Sequence, residues 1–462
     1  MIRGIIRLQS VKQLVASPQC FTSRHYSSSQ QNSKTAMERK KTLYYPLLPN
    51  LPEKLHTSNG VYIIDIPTDS QLVEAYDLFQ TTIDRDDGYG VDDYPNLEFF
   101  INYMSHDSVV PFVLYQQPEK KVVVFFNTCP SRFCRGVNPV YCGGNTVFHD
   151  SVKRHGLYHK IISEIFWKYA GLLGYEGFLG ETFVNNKKVL HTILDRHNWK
   201  LLGELPKISK LKHSGWVNSF AVVKLFKDID EKMNAEYRVS KVIVPDPDIS
   251  QITLNNHTKK IDNLPRQCIT HNGAQLMVDY ATEEDIEPIY DMFVKAQNEG
   301  DGYAIDEYPT FNHFVYKLRK GHLFSMKVKG HLVGSMAVIP CRFVRSAFPN
   351  IGAGPMLVDK QYRGKGNFSK LLLLHALFCK ELGYEGSMGD TFATSKSVLN
   401  VAGGLKSDTG SEILARIPRT GYIANKGWTD SYIMYRDLSD LPLEFMNKHI
   451  PSLLPNGKTS KL

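Results

Sequence analysis

The alternation of apolar and polar positions in the second half of the chain predicts strands and helices in mixed order. A strand is predicted over 274–280, and Thr282 begins a helix with apolar residues at helical spacing. Two apolar runs, 323–328 and 332–339, flank a short polar turn and predict a hairpin. Together these elements indicate a mixed α/β layered domain.

Another strand, ending at 356–358, leads through a glycine-containing loop into a long helix. Further strands are predicted near 386–392 and 428–435, with a short helix between them. The apolar face of the long helix is formed by Phe368, Leu371, Leu372, His375, Phe378 and Leu382. The first half of the chain repeats this helix with Tyr158, Ile161, Ile162, Ile165, Tyr169 and Leu172.

The chain contains an internal duplication. A nine-residue motif, Asp-Gly-Tyr-x-x-Asp-Asp/Glu-Tyr-Pro, begins at Asp87 and again at Asp301. The motif Pro-x-Arg-Phe-x-Arg begins at Pro130 and at Pro340, and three further motifs recur in the same order at an offset of about 210 residues. Each copy, at roughly 165 residues, has the size of a single domain.

The duplication divides the chain into domains and connecting segments. We predict an N-terminal domain over 60–226, a polar connection over 227–272 and a C-terminal domain over 273–438. A basic leader occupies 1–36, and a tail occupies 439–462. The predicted fold class is therefore α/β, with two consecutive domains that each contain a mixed central sheet flanked by helices.

The net charge of +8 is concentrated at the start of the chain. No Asp or Glu precedes Glu38, and the same stretch contains the basic residues Arg3, Arg7, Lys12, Arg24 and Lys34. The remaining chain, at about +3, gives no electrostatic case for binding nucleic acid. No apolar run reaches the roughly 18 residues of a membrane span. The seven cysteines lack zinc-ligand spacing, so we expect no metal site.

Two segments carry targeting signals that disagree. The leader, with Arg24-His25-Tyr26-Ser27, resembles a mitochondrial matrix presequence, although a disordered basic tail would have the same composition. The chain ends in Ser460-Lys461-Leu462, a tripeptide that the peroxisomal import receptor recognises. We predict that initiation at Met1 gives a mitochondrial form and that initiation at Met37 gives a peroxisomal one.

The segment Arg363-Gly364-Lys365-Gly366 lies between a predicted strand and an amphipathic helix. Glycines let a phosphate approach the free N–H groups of a helix's first turn, and the two basic side chains add positive charge. This arrangement would hold a pyrophosphate. The alternative is a plain strand-to-helix turn, whereas a dinucleotide-binding loop is disfavoured because Ser369 replaces its third glycine.

With this loop in this setting, each copy resembles a domain of the GNAT superfamily of acyl-CoA-dependent N-acyltransferases. The resemblance implies that two central strands part, that the thioester of acetyl-CoA or another acyl-CoA occupies the gap, and that an amine attacks it directly. It implies a cofactor site formed by Val358, Arg363, Gly364, Lys365, Gly366, Asn367 and Phe368.

The first copy departs from this pattern at the loop. It reads Lys153-Arg154-His155-Gly156, so that Arg154 stands where the second copy has Gly364. A side chain there should crowd the phosphate, and we expect the first copy to bind CoA weakly or not at all. In the second copy, Phe368 replaces the usual Gly or Ala, and no Tyr stands where the family often places its acid.

The attacking amine must first lose a proton, which requires a base. Asp390 and Asp301 are the candidate bases, and Tyr432 is a candidate proton donor to the thiolate. The alternative is that these acids are helix caps or Asx-turns. The predicted acceptor-binding residues, whose acids suit a cationic amine, are Tyr303, Asp306 and Glu307.

The sequence thus predicts an enzyme that moves an acetyl or other short acyl group from acyl-CoA to a small-molecule or peptide amine in the second copy. The alternative is a non-catalytic acyl-CoA-binding or scaffold protein. Arg342 and Arg345 would either bind an acidic acceptor or the CoA phosphate, or be solvated or paired with acids.

Overall fold

The computed structural model describes residues 35–57, 60–152, 157–262, 264–269, 275–347, 349–363, 367–396, 398–399 and 411–439. The predictions for the leader up to residue 34 and for the C-terminal tripeptide lie outside the described residues. Within the described ranges, no helix combines the length and the apolar character that crossing a bilayer requires.

The first domain contains one sheet with helices packed on it. Its helices are α1 (Ala36–Tyr44), α2 (Asp69–Ile83), α3 (Leu97–Ser105), α4 (Leu157–Lys160), α5 (Phe166–Leu172) and α6 (Lys187–His191). Its strands are β1 (Glu53–Thr57), β2 (Gly60–Asp65), β3 (Val110–Gln116), β4 (Lys121–Pro130), β5 (Tyr141–Gly143), β6 (Thr146–Phe148), β7 (Gly177–Phe183), β8 (Lys200–Leu211) and β9 (Gly215–Leu225). The strand order is β1-β2-β3-β4-β5-β7-β9-β8, and β6 also pairs with β4.

The second domain repeats this sheet after the short helix α7 (Glu231–Ala235) of the connection. Its helices are α8 (Glu283–Asn298), α9 (Phe311–Leu318) and α10 (Asn367–Glu381). Its strands are β10 (Arg266–Ile269), β11 (Gln275–Tyr280), β12 (His322–Val328), β13 (His331–Pro340), β14 (Ile351–Ala353), β15 (Met356–Val358), β16 (Gly386–Phe392), β17 (Ser411–Ile423) and β18 (Gly427–Asp437). The order β10-β11-β12-β13-β14-β16-β18-β17 matches the first sheet strand for strand.

These sheets confirm the prediction of two consecutive α/β domains with mixed sheets. The strand predicted over 274–280, the hairpin and the strand over 386–392 correspond to β11, β12 with β13, and β16. Thr282 caps α8 as predicted, because its side chain and that of Asp285 satisfy each other's backbone N–H groups.

Each sheet also begins earlier than the predicted domain. The first includes β1, and α1 packs beneath it with Met37 and Tyr44 buried. The second includes β10, whose residues lie in the predicted connection. The two starting strands are antiparallel to β2 and β11 respectively, so each completes one edge of its sheet.

The two domains share a hydrophobic cluster. Phe133 of the first domain stacks on Phe343 of the second, with ring centroids 5.5 Å apart. The cluster also contains Leu205 and Ile417, from the outer strands β8 and β17. These strands approach so closely that a Cβ on Gly203 would lie 2.1 Å from the carbonyl oxygen of Leu414. The domains therefore bury a common core along their boundary.

Candidate active site

The parallel strands of each domain separate after a short contact. β14 pairs with β16 at two positions, and β5 pairs with β7 at two equivalent positions. β14 then ends at Ala353, whereas β16 continues to Phe392. Helix α10 packs against β13, β14 and β16. Each domain thus has the gap between central strands that the resemblance predicts.

A glycine interrupts the strand that borders each gap. A Cβ on Gly354 would lie 1.8 Å from the carbonyl oxygen of Ala337, and a Cβ on Gly144 would lie 1.9 Å from that of Asn127. Real side chains do not approach a backbone oxygen this closely, so both positions require glycine. The interruption separates β14 from β15 and β5 from β6 while both pieces stay paired with the same neighbouring strand.

Arg363 is the described end of the predicted CoA loop. Its Nε donates to the carbonyl oxygen of Val358 at 2.5 Å, and its Nη1 lies 2.6 Å from Asp301 Oδ2. Asp301, a predicted base, is therefore placed beside the loop arginine. Val358 is buried and contributes its backbone oxygen to this contact.

The remainder of the predicted cofactor site cannot be placed against Arg363. The side chains of Asn367 and Phe368 are not described, although their backbone begins α10. Three loop residues lie outside the described residues: Gly364, Lys365 and Gly366. The pyrophosphate site therefore stays a prediction.

Asp390 and Glu307 lie in one ion-pair network. Arg342 Nη2 is 2.9 Å from Asp390 Oδ1, and Arg135 of the first domain lies between the two acids. Arg135 Nη2 is 2.8 Å from Glu307 Oε2, and its Nε is 4.0 Å from Asp390 Oδ2. Lys317 adds a third cation, 3.7 Å from Glu307 Oε1. Three cations thus surround two carboxylates.

The network sets the ionisation of Glu307. Burial alone would raise the pKa of its carboxyl, but the nearby Arg135 guanidinium and the Lys317 ammonium outweigh burial and lower it. Asp390 Oδ2 is buried and accepts no hydrogen bond from the described residues. Of the two predicted bases, Asp390 therefore has an oxygen without a hydrogen bond, whereas Asp301 is paired with Arg363.

Asp306 and Tyr303 both form hydrogen bonds inside the protein. Asp306 contacts the first domain and the connection, whereas Tyr303 contacts a backbone carbonyl of its own domain. Asp306 Oδ2 accepts from the backbone N–H of Asn138 at 2.9 Å and from Tyr237 Oη at 3.0 Å. Burial raises the pKa of its carboxyl. Tyr303 donates its hydroxyl to the carbonyl oxygen of Met356 at 2.7 Å. Both side chains are therefore hydrogen-bonded within the protein, and their role in binding an acceptor stays a prediction.

Tyr432, the predicted proton donor, lies on β18 opposite Thr391 of β16. On its other side it pairs with Arg416, whose guanidinium carbon is 5.7 Å from the centre of its ring. Its role as proton donor stays a prediction.

The first domain has an equivalent network and, beside it, a large cavity. Arg132 Nη2 is 2.7 Å from Glu181 Oε1, and Arg345 of the second domain contacts both Glu181 at 3.5 Å and Asp93. The cavity, called the chamber below, has a volume of about 810 Å3 and extends between β5–β6 and β7.

The arginines that cross the domain boundary were not all found from the sequence. Arg135 was not singled out, although the repeated motif Pro-x-Arg-Phe-x-Arg contains it. Arg345 was expected either to bind an acceptor or to pair with acids, and it pairs with acids of the other domain. Lys317 was also missed, because its counterpart in the first copy is Tyr103 and no repeat marks the position.

Solved structures of acetyltransferases are similar to part of this chain. No protein-family model matches the chain, and no curated protein matches it. Among solved structures, a GCN5-related N-acetyltransferase from Kribbella flavida is similar at 18% identity and a TM-score of 0.31, over 35% of this chain and 97% of that chain. YncA, a putative acetyltransferase from Salmonella typhimurium solved with acetyl-CoA, is 15% identical with a TM-score of 0.30, over 35% and 94%.

A third similar structure is spermidine N-acetyltransferase from Vibrio cholerae in complex with CoA and spermine, at 12% identity and a TM-score of 0.30, over 36% of this chain and 96% of that chain. Each match covers about the length of one copy. The repeated strand order and the parted strands confirm the prediction of two consecutive α/β domains, each with a mixed sheet flanked by helices.

The described cysteines Cys129, Cys134, Cys142, Cys341 and Cys379 are all unpaired with one another. Within the same described ranges, no group of three His, Cys, Asp or Glu side chains is arranged to hold a metal ion.

Proposed function

We propose that the protein transfers a short acyl group, such as acetyl, from acyl-CoA to an amine in its second domain. The observation that carries the proposal is the parting of β14 from β16 beneath α10, immediately before β15, the strand that leads to Arg363. A gap of this kind accepts a narrow thioester between two strands, while the glycine-containing loop before the helix suits a pyrophosphate. In this reaction the neutral amine attacks the thioester carbonyl, the C–S bond breaks, and the thiolate takes up a proton.

Asp390 is the better supported of the two candidate bases. Its Oδ2 is buried and accepts no hydrogen bond from the described residues, so it is able to accept one from the amine. Asp301 is held by Arg363 and is suited instead to positioning that arginine beside the loop.

The charges around Asp390 also favour one kind of acceptor. Arg135, Arg342 and Lys317 outnumber the carboxylates of Glu307 and Asp390. An amine that also carries a carboxylate would neutralise the excess charge, whereas a purely cationic amine would add to it. We therefore expect amino acids to be better acceptors than the simple amines obtained by removing their carboxylate.

The test is a thiol-release assay on the full chain with acetyl-CoA and pairs of amines that differ only in this carboxylate. Gly364→Arg, which installs the residue of the first copy, should abolish acetyl-CoA binding in calorimetry, while Arg154→Gly should leave the rate unchanged. Asp390→Asn should lower the rate about 100-fold. Absence of acetyl-CoA binding by the wild type, or equal binding by Gly364→Arg, would contradict the proposal. Binding without thiol release from any amine would instead support the scaffold alternative.

A further inference from the structure

The chamber of the first domain has the size and the walls of a small-molecule site. Its volume of about 810 Å3 lies within the range of pockets that enclose a small ligand. Its walls are rich in aromatic side chains, which offer flat apolar surface for a ring or a short alkyl chain. The aromatic residues along the chamber include Tyr89, Tyr94, Tyr103, Tyr158, Phe178 and Trp199.

One wall of the chamber carries the charged network that crosses the domain boundary. Asp93 is fully engaged, because it accepts from the backbone N–H of Gly90, from Ser209 and from Arg345. Its side chain is only 5% exposed, and that of Glu181 is 9% exposed. Arg132 is the most accessible charged member at 29%. Within this network, the Arg132 guanidinium is therefore more accessible to a ligand than either carboxylate.

The second domain completes this charged wall. Arg345, which neutralises Asp93 and approaches Glu181, belongs to the second domain, and so does Lys320, which also lines the chamber. Lys188 of α6 lines the chamber as well. In all, four basic and three acidic side chains line the chamber, the third acid being Asp87, so the net charge of its walls is positive and favours an anion over a cation.

We propose that the chamber binds a small carboxylate with an aromatic body, its ring against the aromatic walls and its carboxylate on Arg132. A planar guanidinium accommodates a carboxylate through two parallel hydrogen bonds, so this head group fits better than a neutral amide. The inference goes beyond the proposed function, because it concerns the first domain and requires neither CoA nor acyl transfer.

The test is calorimetry on the full chain with three probes that share one ring and differ in the head group: phenylacetate, phenylacetamide and phenethylamine. Phenylacetate should bind about tenfold more tightly than the amide, and the amine should bind most weakly. Arg132→Met should remove the preference for phenylacetate over phenylacetamide. Equal binding of the amine and the carboxylate would overturn the proposal.

Two matched variants locate the site. Ile162 lines the chamber, and Leu372 is its counterpart on α10 of the second domain. Ile162→Trp should fill the chamber and abolish phenylacetate binding, whereas Leu372→Trp should preserve it. Val189→Trp, from α6, is a second way of filling the chamber and should act like Ile162→Trp. Circular dichroism shows whether each variant is folded.

The same variants separate this inference from the proposed function. Acetyl-CoA should bind to Ile162→Trp as it does to the wild type, because the proposed CoA site is in the second domain. Loss of acetyl-CoA binding in Ile162→Trp would show that the chamber is a CoA site and would overturn the inference. Phenylacetate binding that survives both chamber-filling variants would overturn it as well.

Discussion

The boundary between the two domains has two halves. Equivalent residues of the two copies make the same contacts in each half, but one half is more buried than the other. The backbone N–H of Arg135 donates to the carbonyl oxygen of Thr420 at 2.7 Å, and that of Arg345 donates to the carbonyl oxygen of Ile208, also at 2.7 Å. Each contact is the other with the copies exchanged, as in an isologous dimer interface. The duplicated chain therefore carries within one molecule an interface of the kind that joins two identical subunits.

The connection between the domains covers only one of these halves. Glu176 and Arg419 form an ion pair with side chains 4% and 7% exposed, and the carbonyl oxygen of Met233 in the connection accepts from the same arginine. The equivalent pair, Glu385 with Lys207, is 54% and 37% exposed. Ion pairs at matching positions of the duplicated fold should therefore contribute unequally to the free energy of unfolding, because the connection buries one pair and leaves the other exposed.

The largest effect is predicted for the loss of Arg345, which pairs with two acids across the domain boundary. Arg345→Met leaves Asp93 and Glu181 buried with one cation, Arg132, between them. Removing one partner of a buried ion pair is strongly destabilising, and we expect the free energy of unfolding to fall by about 4–5 kcal/mol. Guanidinium chloride denaturation at pH 7 measures it, and Arg345→Lys should restore part of the loss.

The counterpart Arg135→Met sharpens the comparison. Glu307 would keep Lys317 at 3.7 Å, whereas the first domain has Tyr103 at the position of that lysine. The loss should therefore be smaller, about 3 kcal/mol. Equal losses in the two variants, or a larger one for Arg135→Met, would show that Lys317 does not compensate.

An effect of similar size is predicted for the covered half. Arg419→Ala leaves Glu176 buried with Arg238, whose Nη1 is 3.5 Å from Glu176 Oε1. We expect a loss of about 3 kcal/mol in the free energy of unfolding, measured by the same denaturation experiment. A loss below about 1 kcal/mol, the value for an exposed pair, would mean that the connection does not desolvate this site.

The sequence predicts the strands and helices inside each domain well, but it predicts the strand β17 at the domain boundary poorly. β11 has a regular apolar pattern because Leu276 and Val278 pack within their own domain, and α10 shows helical spacing for the same reason. β17 was not predicted, since its register shifts between Ile413 and Ala415 and again between Ile417 and Gly421. Such bulges break the two-residue period on which strand prediction depends.

The candidate site likewise has features that the sequence predicts and features that it does not. The strand gap follows from local order, and Gly354 is required by backbone packing that a sequence does not display. The contact between Arg135 and Glu307 joins residues far apart in the chain, so neither spacing nor composition could reveal it. The repeat was the one available signal, because it preserved both arginines of the motif in both copies.

The next prediction compares the two domains in acid. Burial lowers the pKa of both His322 and His375 to about 4, whereas the equivalent residues of the first domain are Val110 and Ile165. An unfolded histidine titrates near pH 6.5. Between these values the unfolded chain binds more protons, so the free energy of unfolding must fall as the pH falls.

Each histidine should cost about 2 kcal/mol of stability at pH 5 relative to neutral pH. The variant with His322→Val and His375→Ile, which carries the residues of the first domain, should show a flatter dependence between pH 7 and pH 5. Denaturation midpoints at the two pH values measure the slope independently of any change in absolute stability. An unchanged slope would mean that these histidines are protonated in the folded protein.

The smallest effect is predicted at the open half of the boundary. Lys207→Ala removes the exposed pair with Glu385, and the free energy of unfolding should change by less than about 0.5 kcal/mol, because solvent screens the charges and the side chains keep their freedom. Lys207 and Arg419 both have positive φ, 50° and 47°, so replacing either with alanine carries the same backbone term. The difference between Lys207→Ala and Arg419→Ala therefore isolates the contribution of the connection, and a loss for Lys207→Ala as large as that for Arg419→Ala would remove the distinction between the two halves.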